Sequence, residues 1–222
     1  MAAFQPEFSA LPPEIAVFPL PGALLLPHGR LPLNIFEPRY LAMTQDSLAN
    51  GRMFGMIQPR PGEPRGPNGP GLYRTGCLGR LSSFAETEDG RLLITLTGMI
   101  RFRVAEELPL HRGYRRVRAD YAGFEADLGE LASPSGLDRP TLLAALRSFF
   151  KARSIEANWE AVEQTSDATL VLTLAMICPF EVPEKQALLE AATAEARAAM
   201  LVALLEMGAH GGGDLPAGQR PS

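Results

Sequence analysis

The sequence predicts an α+β protein: a lobe of short strands closing into a barrel with one inserted helix, followed by a helical bundle. Three observations predict it. Apolar and polar residues alternate through much of the first half, most clearly at Leu92, Ile94 and Leu96. Gly, Pro and Asn pairs punctuate these runs as turn signals. After Phe124 the composition shifts, and leucines and phenylalanines recur at helical spacing. With 222 residues and 46% hydrophobic content, the polypeptide can bury one large core or two small ones.

In order, residues 1–13 read as a flexible N-terminus. The apolar runs 15–19 and 23–26, separated by Pro21-Gly22, predict two strands joined at a tight corner, and 31–36 predicts a third. Pro38 suits the first turn of a helix, Tyr40, Leu41, Thr44 and Leu48 keep its spacing, and Asn50-Gly51 stops it. The extended pattern resumes over 53–58. Five prolines and four glycines in 59–71 then exclude a regular element, leaving a surface loop. A hairpin over 77–97 turns at Glu88-Asp89-Gly90, and Gly98 marks a bulge. Ile100, Phe102 and Val104 alternate with Arg101 and Arg103, as Val117, Ala119 and Tyr121 do with Arg116, Arg118 and Asp120, so the arginines are expected on a solvated sheet face. This β lobe spans 14–124, and 125–137 reads as a linker. The bundle spans 138–208. Asp138 caps a helix whose stripe is Leu142, Leu143, Leu146, Phe149 and Phe150; Ser166 or Asp167 opens a second through Cys178; Pro183 opens a third. Thr193 caps a fourth, with Ala196, Met200, Leu201, Leu204 and Leu205 inward and Gly208 as its stop. Residues 209–222 lack apolar periodicity and read as a disordered tail.

Charge is uneven. The net value of −4 divides into −2 over 1–49, +6 over 50–118 and −8 over 119–222. Scattered arginines without a dense basic run argue against nucleic acid as the partner. The apolar runs fall short of the roughly 20 residues that span a bilayer. The first 20 residues have no basic start and carry Glu7 and Glu14, so no secretory signal is expected and the expected location is the cytoplasm. Two cysteines and three dispersed histidines supply neither a disulfide framework nor a four-ligand zinc site.

Catalytic signatures are missing. The sequence contains no GxxxxGK[ST], GxSxG, HExxH or dinucleotide glycine fingerprint. Ser148 and Lys151 match SxxK, but Phe149 and Phe150 between them belong to the bundle stripe, and no KTG or SDN accompanies them. The acidic group Glu86, Glu88 and Asp89 reads as a solvated hairpin tip, and Cys77 and Cys178 as packing residues.

Pro19-Leu20-Pro21-Gly22, then Leu26-Pro27, then Pro32-Leu33-Asn34-Ile35-Phe36-Glu37-Pro38-Arg39-Tyr40 closely resemble the opening of the Lon protease N-terminal domain. Thr75-Gly76-Cys77-Leu78-Gly79 is similar to the family's glycine-containing strand, and 96–104 to its LxGxxRFxV signature. Phe180 and 184–190 resemble its later helical part. The resemblance, over about 14–207, implies a PUA-like β lobe and a helical lobe that help engage protein substrates, related also to the Lon-like domain of cereblon. No ATPase or serine-lysine protease segment follows in this sequence, which leads us to expect a free-standing, non-catalytic binding module needing no cofactor or metal. Its expected partner is an unfolded protein, a peptide or a member of a proteolysis system; an RNA- or small-ligand-binding PUA-like protein is the alternative. The candidate binding residues are Asn34, Phe36, Glu37, Arg39, Tyr40, Met43, Phe54, Met56, Arg101 and Phe102. Phe36 and Tyr40 are expected to pack together, Glu37 to favour the helix N-terminus, and Arg39 to pair with a carboxylate. Met43, Met53, Phe54 and Met56 suit an adaptable surface.

Overall fold

Alternating apolar residues from Leu92 onward build the longest strand, and the rest of the sheet assembles on it. The structure, a computed structural model, describes residues 6–210, the last by its backbone alone. The expectations for 1–5 and 211–222 lie outside the described residues. Strands are β1 (Glu14–Pro19), β2 (Arg30–Ile35), β3 (Met53–Ile57), β4 (Thr75–Glu86), β5 (Leu92–His111) and β6 (Tyr114–Asp120). Helices are α1 (Pro38–Ala49), α2 (Arg139–Ala152), α3 (Trp159–Gln164), α4 (Asp167–Ile177), α5 (Val182–Glu190) and α6 (Ala194–His210). The class is α+β, as the sequence predicts. Among the described residues, no helix is long and apolar enough to cross a membrane.

The residues group into two compact units. One comprises those up to Leu131 together with Ala175–Glu190; the other comprises Ala132–Leu174 and those from Ala191 on. In the first unit the strand order is β2-β5-β4-β3-β1-β6, and β6 also pairs with β5. Strands β5, β4, β3, β1 and β6 thus form a ring of pairings, with β2 added at β5. Only β1 and β3 run parallel. Inside lie Ile15, Val17, Leu78, Ile100, Phe102 and Val117. Each such side chain, once fully buried, contributes on the order of 1.5–3 kcal/mol. Phe102 sits opposite Gly76, where a β-carbon would come within 2.5 Å of its ring, so the glycine of this strand makes room for the phenylalanine.

Several expectations are corrected. Residues 23–26 form no strand, although Leu24, Leu25 and Leu26 are buried. An apolar run reports burial rather than extended pairing, and this one docks as a loop at the β5 bulge. There the Gly98 N–H donates to Gly29 O at 2.8 Å, and His28 N–H donates to Gly98 O at 2.9 Å. A β-carbon at Gly98 would lie 2.0 Å from Leu26 O. The arginine face is not uniformly solvated: Arg101 is buried because the Asp127 carboxylate meets it, and Arg115, on the Val117 side of β6, is buried against Glu107. Leu11 packs into the core after a 3-10 turn at Phe8–Ala10, and Pro12 O accepts the Tyr121 hydroxyl at 2.8 Å, which ties down part of the N-terminal segment. In the 125–137 segment, Glu125–Leu128 forms a second 3-10 turn.

The second unit holds α2, most of α4, α6, and the short α3 that the apolar pattern does not predict. Asp138 caps α2 by accepting from Thr141 N–H, and Thr193 Oγ1 accepts from Ala196 N–H at the start of α6, as expected. Ala196 itself is exposed, and Ala198 takes the inward position. Gly208 does not stop α6; it lies inside the helix, where a β-carbon would come within 2.4 Å of Phe149. Helix α5 belongs with the sheet unit. Lys185 Nζ donates to Gly22 O at 2.7 Å and Gln186 Nε2 to Thr75 O at 3.1 Å, so two side chains of α5 satisfy carbonyls of the β lobe.

Candidate functional site

The ten sequence candidates separate by burial. Tyr40, Met43, Phe54, Met56, Arg101 and Phe102 are buried, whereas Asn34, Phe36, Glu37 and Arg39 reach the surface. Met43 and Phe54 are fully enclosed, so these side chains pack the core instead of lining an adaptable surface. Tyr40 stacks on Phe18 with ring centroids 4.1 Å apart, and Phe36 does not join it. Desolvation raises the Tyr40 phenol above its usual pKa, against the opposing field of Arg39.

Arg101 departs furthest from expectation. Its Nε and Nη2 donate to the two carboxylate oxygens of Asp127 at 2.8 Å each, and its backbone N–H donates to the same carboxylate at 3.0 Å. Its Nη1 donates to Leu189 O at 3.3 Å, and the guanidinium lies 4.8 Å from the Phe124 ring centroid. This bidentate pair joins β5 to the turn after β6 and to α5. Asp127 carries no sequence signal beyond its charge. Glu37 precedes α1 without capping it; its Oε2 accepts Arg39 Nε at 3.0 Å and Nη2 at 2.7 Å. Both side chains are about half exposed, so the pair contributes little to stability.

Phe36 is 60% exposed, and it extends an apolar surface that the sequence candidates only touch. Because Leu92, Ile94 and Leu96 point inward, the intervening Leu93 and Thr95 face outward. Across the sheet Leu93 opposes Asn34 on β2 and Ala85 on β4, while Thr95 opposes Pro32 and Ser83. Residues opposite one another share a face, so Pro32, Asn34, Leu93, Thr95, Ser83 and Ala85 form one outer surface. They line a shallow groove of about 510 Å³; Phe84 borders it, although it opposes the inward Ile94 and so sits on the other face of β4. Phe84 and Leu93 are 55% and 47% exposed. The hairpin tip supplies a polar rim, with Asp89 paired to Arg91 at 2.7 Å and Arg91 5.9 Å from the Phe36 ring centroid. Chemically, the groove offers apolar contact, two hydroxyls and one amide. Leu93 and Phe84 are missing from the candidates, yet an outward leucine between three inward apolar residues was a readable signal. Strand β2, whose only strand partner among the described residues is β5, borders the groove with an open edge.

Of the remaining motifs, Ser148 and Lys151 are both exposed on α2, around the buried Phe149 and Phe150. Glu86, Glu88 and Asp89 occupy the exposed hairpin tip. Cys77 and Cys178 are buried and not disulfide-bonded. Among the described residues, no three His, Cys, Asp or Glu side chains converge as a metal site.

Residues 14–207 match the family model of the ATP-dependent protease La (LON) substrate-binding domain. Lon protease 2 of Myxococcus xanthus is 24% identical over 197 residues, 88% of this chain and 24% of that protein. Lon protease of Desulfosudis oleivorans is 28% identical over 105 residues, 44% of this chain and 13% of its own length. The chain thus spans a quarter or less of these relatives. The crystal structure of a Lon N-terminal domain protein from Xanthomonas campestris superposes with a TM-score of 0.56 at 24% identity, covering 86% of this chain and 97% of that one. The N-terminal domain of Mycobacterium avium complex Lon protease gives the same TM-score and coverage at 11% identity. Both structural likenesses concern the fold alone.

Proposed function

The chain belongs to the LON substrate-binding domain family, and from that membership we propose that it is a non-catalytic module that holds protein segments through the outer face of β2, β5 and β4. The observation that carries this reading is the exposed pair of Phe36 and Leu93 beside a groove without a titratable side chain. Exposed apolar side chains with a polar rim are what a protein-binding surface offers. An extended client segment can lay alternate side chains into the groove. The open edge of β2 adds main-chain hydrogen bonds, except at Pro32, which has no N–H to give. Clients of a proteolysis system, presented unfolded, supply such segments.

The RNA-binding alternative draws on the +6 segment, but much of that charge is met internally. Arg101, Arg112, Arg115 and Arg118 each pair with a carboxylate. This favours protein over nucleic acid as the partner.

The test is fluorescence anisotropy of a labelled, permanently unfolded model protein titrated with wild type and with Phe36→Ser/Leu93→Ser. Both residues are already half exposed, so the double variant is expected to unfold at the wild-type temperature while its affinity falls about tenfold or more. Equal affinity of the two proteins refutes the assignment to this face. Absence of binding by wild type refutes the client-binding reading.

A further inference from the structure

We infer that a second pocket of the sheet unit, floored by β1 and β6 and walled by α1, is a binding site for a carboxylate carried on an apolar body, with Arg116 as its anchor. This inference stands apart from the client-binding reading, because it uses neither β2 nor β4.

The arginines of β6 have different neighbours, and the register explains the difference. Arg118 opposes Glu14 on β1 and Glu106 on β5, and its guanidinium meets them at 3.4 and 3.3 Å. Arg115 is closed by the two oxygens of Glu107, with Nε and Nη2 donating at 2.8 and 2.7 Å. Arg116 opposes Ala16 and Leu108, whose side chains can accept nothing. Its Nε is buried and lacks a hydrogen-bond partner, alone in this among the described side-chain atoms. A buried donor left unsatisfied costs stability, and nothing in the fold compensates it.

The space beside Arg116 is large enough for a ligand. The pocket encloses about 470 Å³, within the range of small-molecule sites. The small side chain of Ala16 helps keep it open. Pro12, Ile15 and Met53 supply apolar wall, and Ser47, Asn50 and Tyr114 supply polar groups. The two acids that line it are occupied. Glu14 pairs with Arg118, and Asp46 accepts the Tyr114 hydroxyl at 2.9 Å and Arg112 Nη1 at 2.5 Å. The Arg116 cation is thus left for the ligand, while the neighbouring carboxylates disfavour a dianion such as phosphate. The two Nη groups of a guanidinium can each donate an N–H to a planar carboxylate. Such a group can come from a free organic acid or from the C-terminus of a peptide.

Calorimetric titration of the unaltered protein distinguishes these sources. The probes are N-acetyl-Ala-Ala-Val with a free carboxylate, the same peptide as its C-terminal amide, and hexanoate. The free peptide acid or hexanoate is expected to bind, and the amide about tenfold or more weaker than the acid, as loss of a charged hydrogen bond implies. A stronger peptide acid assigns the site to the carboxyl ends of polypeptides, and a stronger hexanoate to free acids; either supports the inference. Arg116→Met should weaken binding by a similar factor while the melting temperature holds or rises, since the variant removes an unsatisfied donor. Ala16→Leu, which fills the pocket, should weaken it independently. Equal binding of acid and amide, no binding of any acid at millimolar concentration, or unchanged affinity in Arg116→Met overturns the assignment.

Discussion

Arg101 and Asp127 are each about nine-tenths buried as side chains, so removing one partner strands the other's charge in the interior. Asp127→Ala is therefore expected to destabilise the protein by about 3–5 kcal/mol, measured by urea unfolding, because an uncompensated buried cation is the expensive outcome. Arg101→Met keeps the stem but strands the Asp127 carboxylate in its turn, and a comparable loss is expected. Strand alternation alone assigns Arg101 to solvent, since its neighbours Ile100 and Phe102 point inward; the aspartate that internalises it lies 26 residues away in an apparent linker. Long-range pairing of this kind leaves no local trace. The same limit applies to Phe36: its place in a conspicuous sequence block suggests packing, while its exposure follows from where β2 ends.

At the scale of elements, the long periodic segments were legible and the short ones were not. Strand β5, helix α1 between Pro38 and Asn50-Gly51, and the Asp138 cap of α2 are all readable from spacing and turn chemistry. Helix α3 has only six residues, too few for a period to register. What starts it is Asn158, whose side chain accepts from Ala161 N–H at 3.1 Å. Asn158→Ala should cost about 1 kcal/mol. Trp159, at the first position of α3 and 6.0 Å from the Phe150 ring, reports the loss as an earlier transition in denaturant-dependent fluorescence. Residues 23–26 fail in the opposite direction: their hydrophobicity is real, but it serves a buried loop. The outer face of β2, β5 and β4 was half legible, through Asn34 and Phe36, and the missing half required knowing which strands adjoin β5.

For the molecule as a whole, the bipartite β-then-α order was visible in composition, but the assignment of α5 to the sheet unit was not, because it rests on polar contacts such as Gln186 with Thr75. Alkaline pH probes that sheet unit. Burial raises the phenols of Tyr40, Tyr114 and Tyr121 above their ordinary value, Tyr114 to about 12, with the Asp46 carboxylate reinforcing the shift. The unfolded chain then loses these protons first, so stability is complete below pH 10 and declines as pH rises toward 12. Lys185 acts in the other direction: burial lowers its pKa, so its contribution grows with pH until the unfolded side chain titrates near 10.5. Above that value the tyrosines act unopposed by it. Denaturation midpoints should fall between pH 10.5 and 12, and the 295 nm absorbance of phenolate should lag behind that of the unfolded chain; a flat midpoint across this interval would contradict the argument. The interrupted path of the first unit, which takes in Ala175–Glu190 only after Ala132–Leu174 has passed through the second, bears on synthesis. On a translating ribosome the strands emerge well before α5, so the carbonyls of Gly22 and Thr75 wait for Lys185 and Gln186, and a nascent polypeptide stalled near residue 131 exposes to chaperones a sheet whose closing helix has yet to be made.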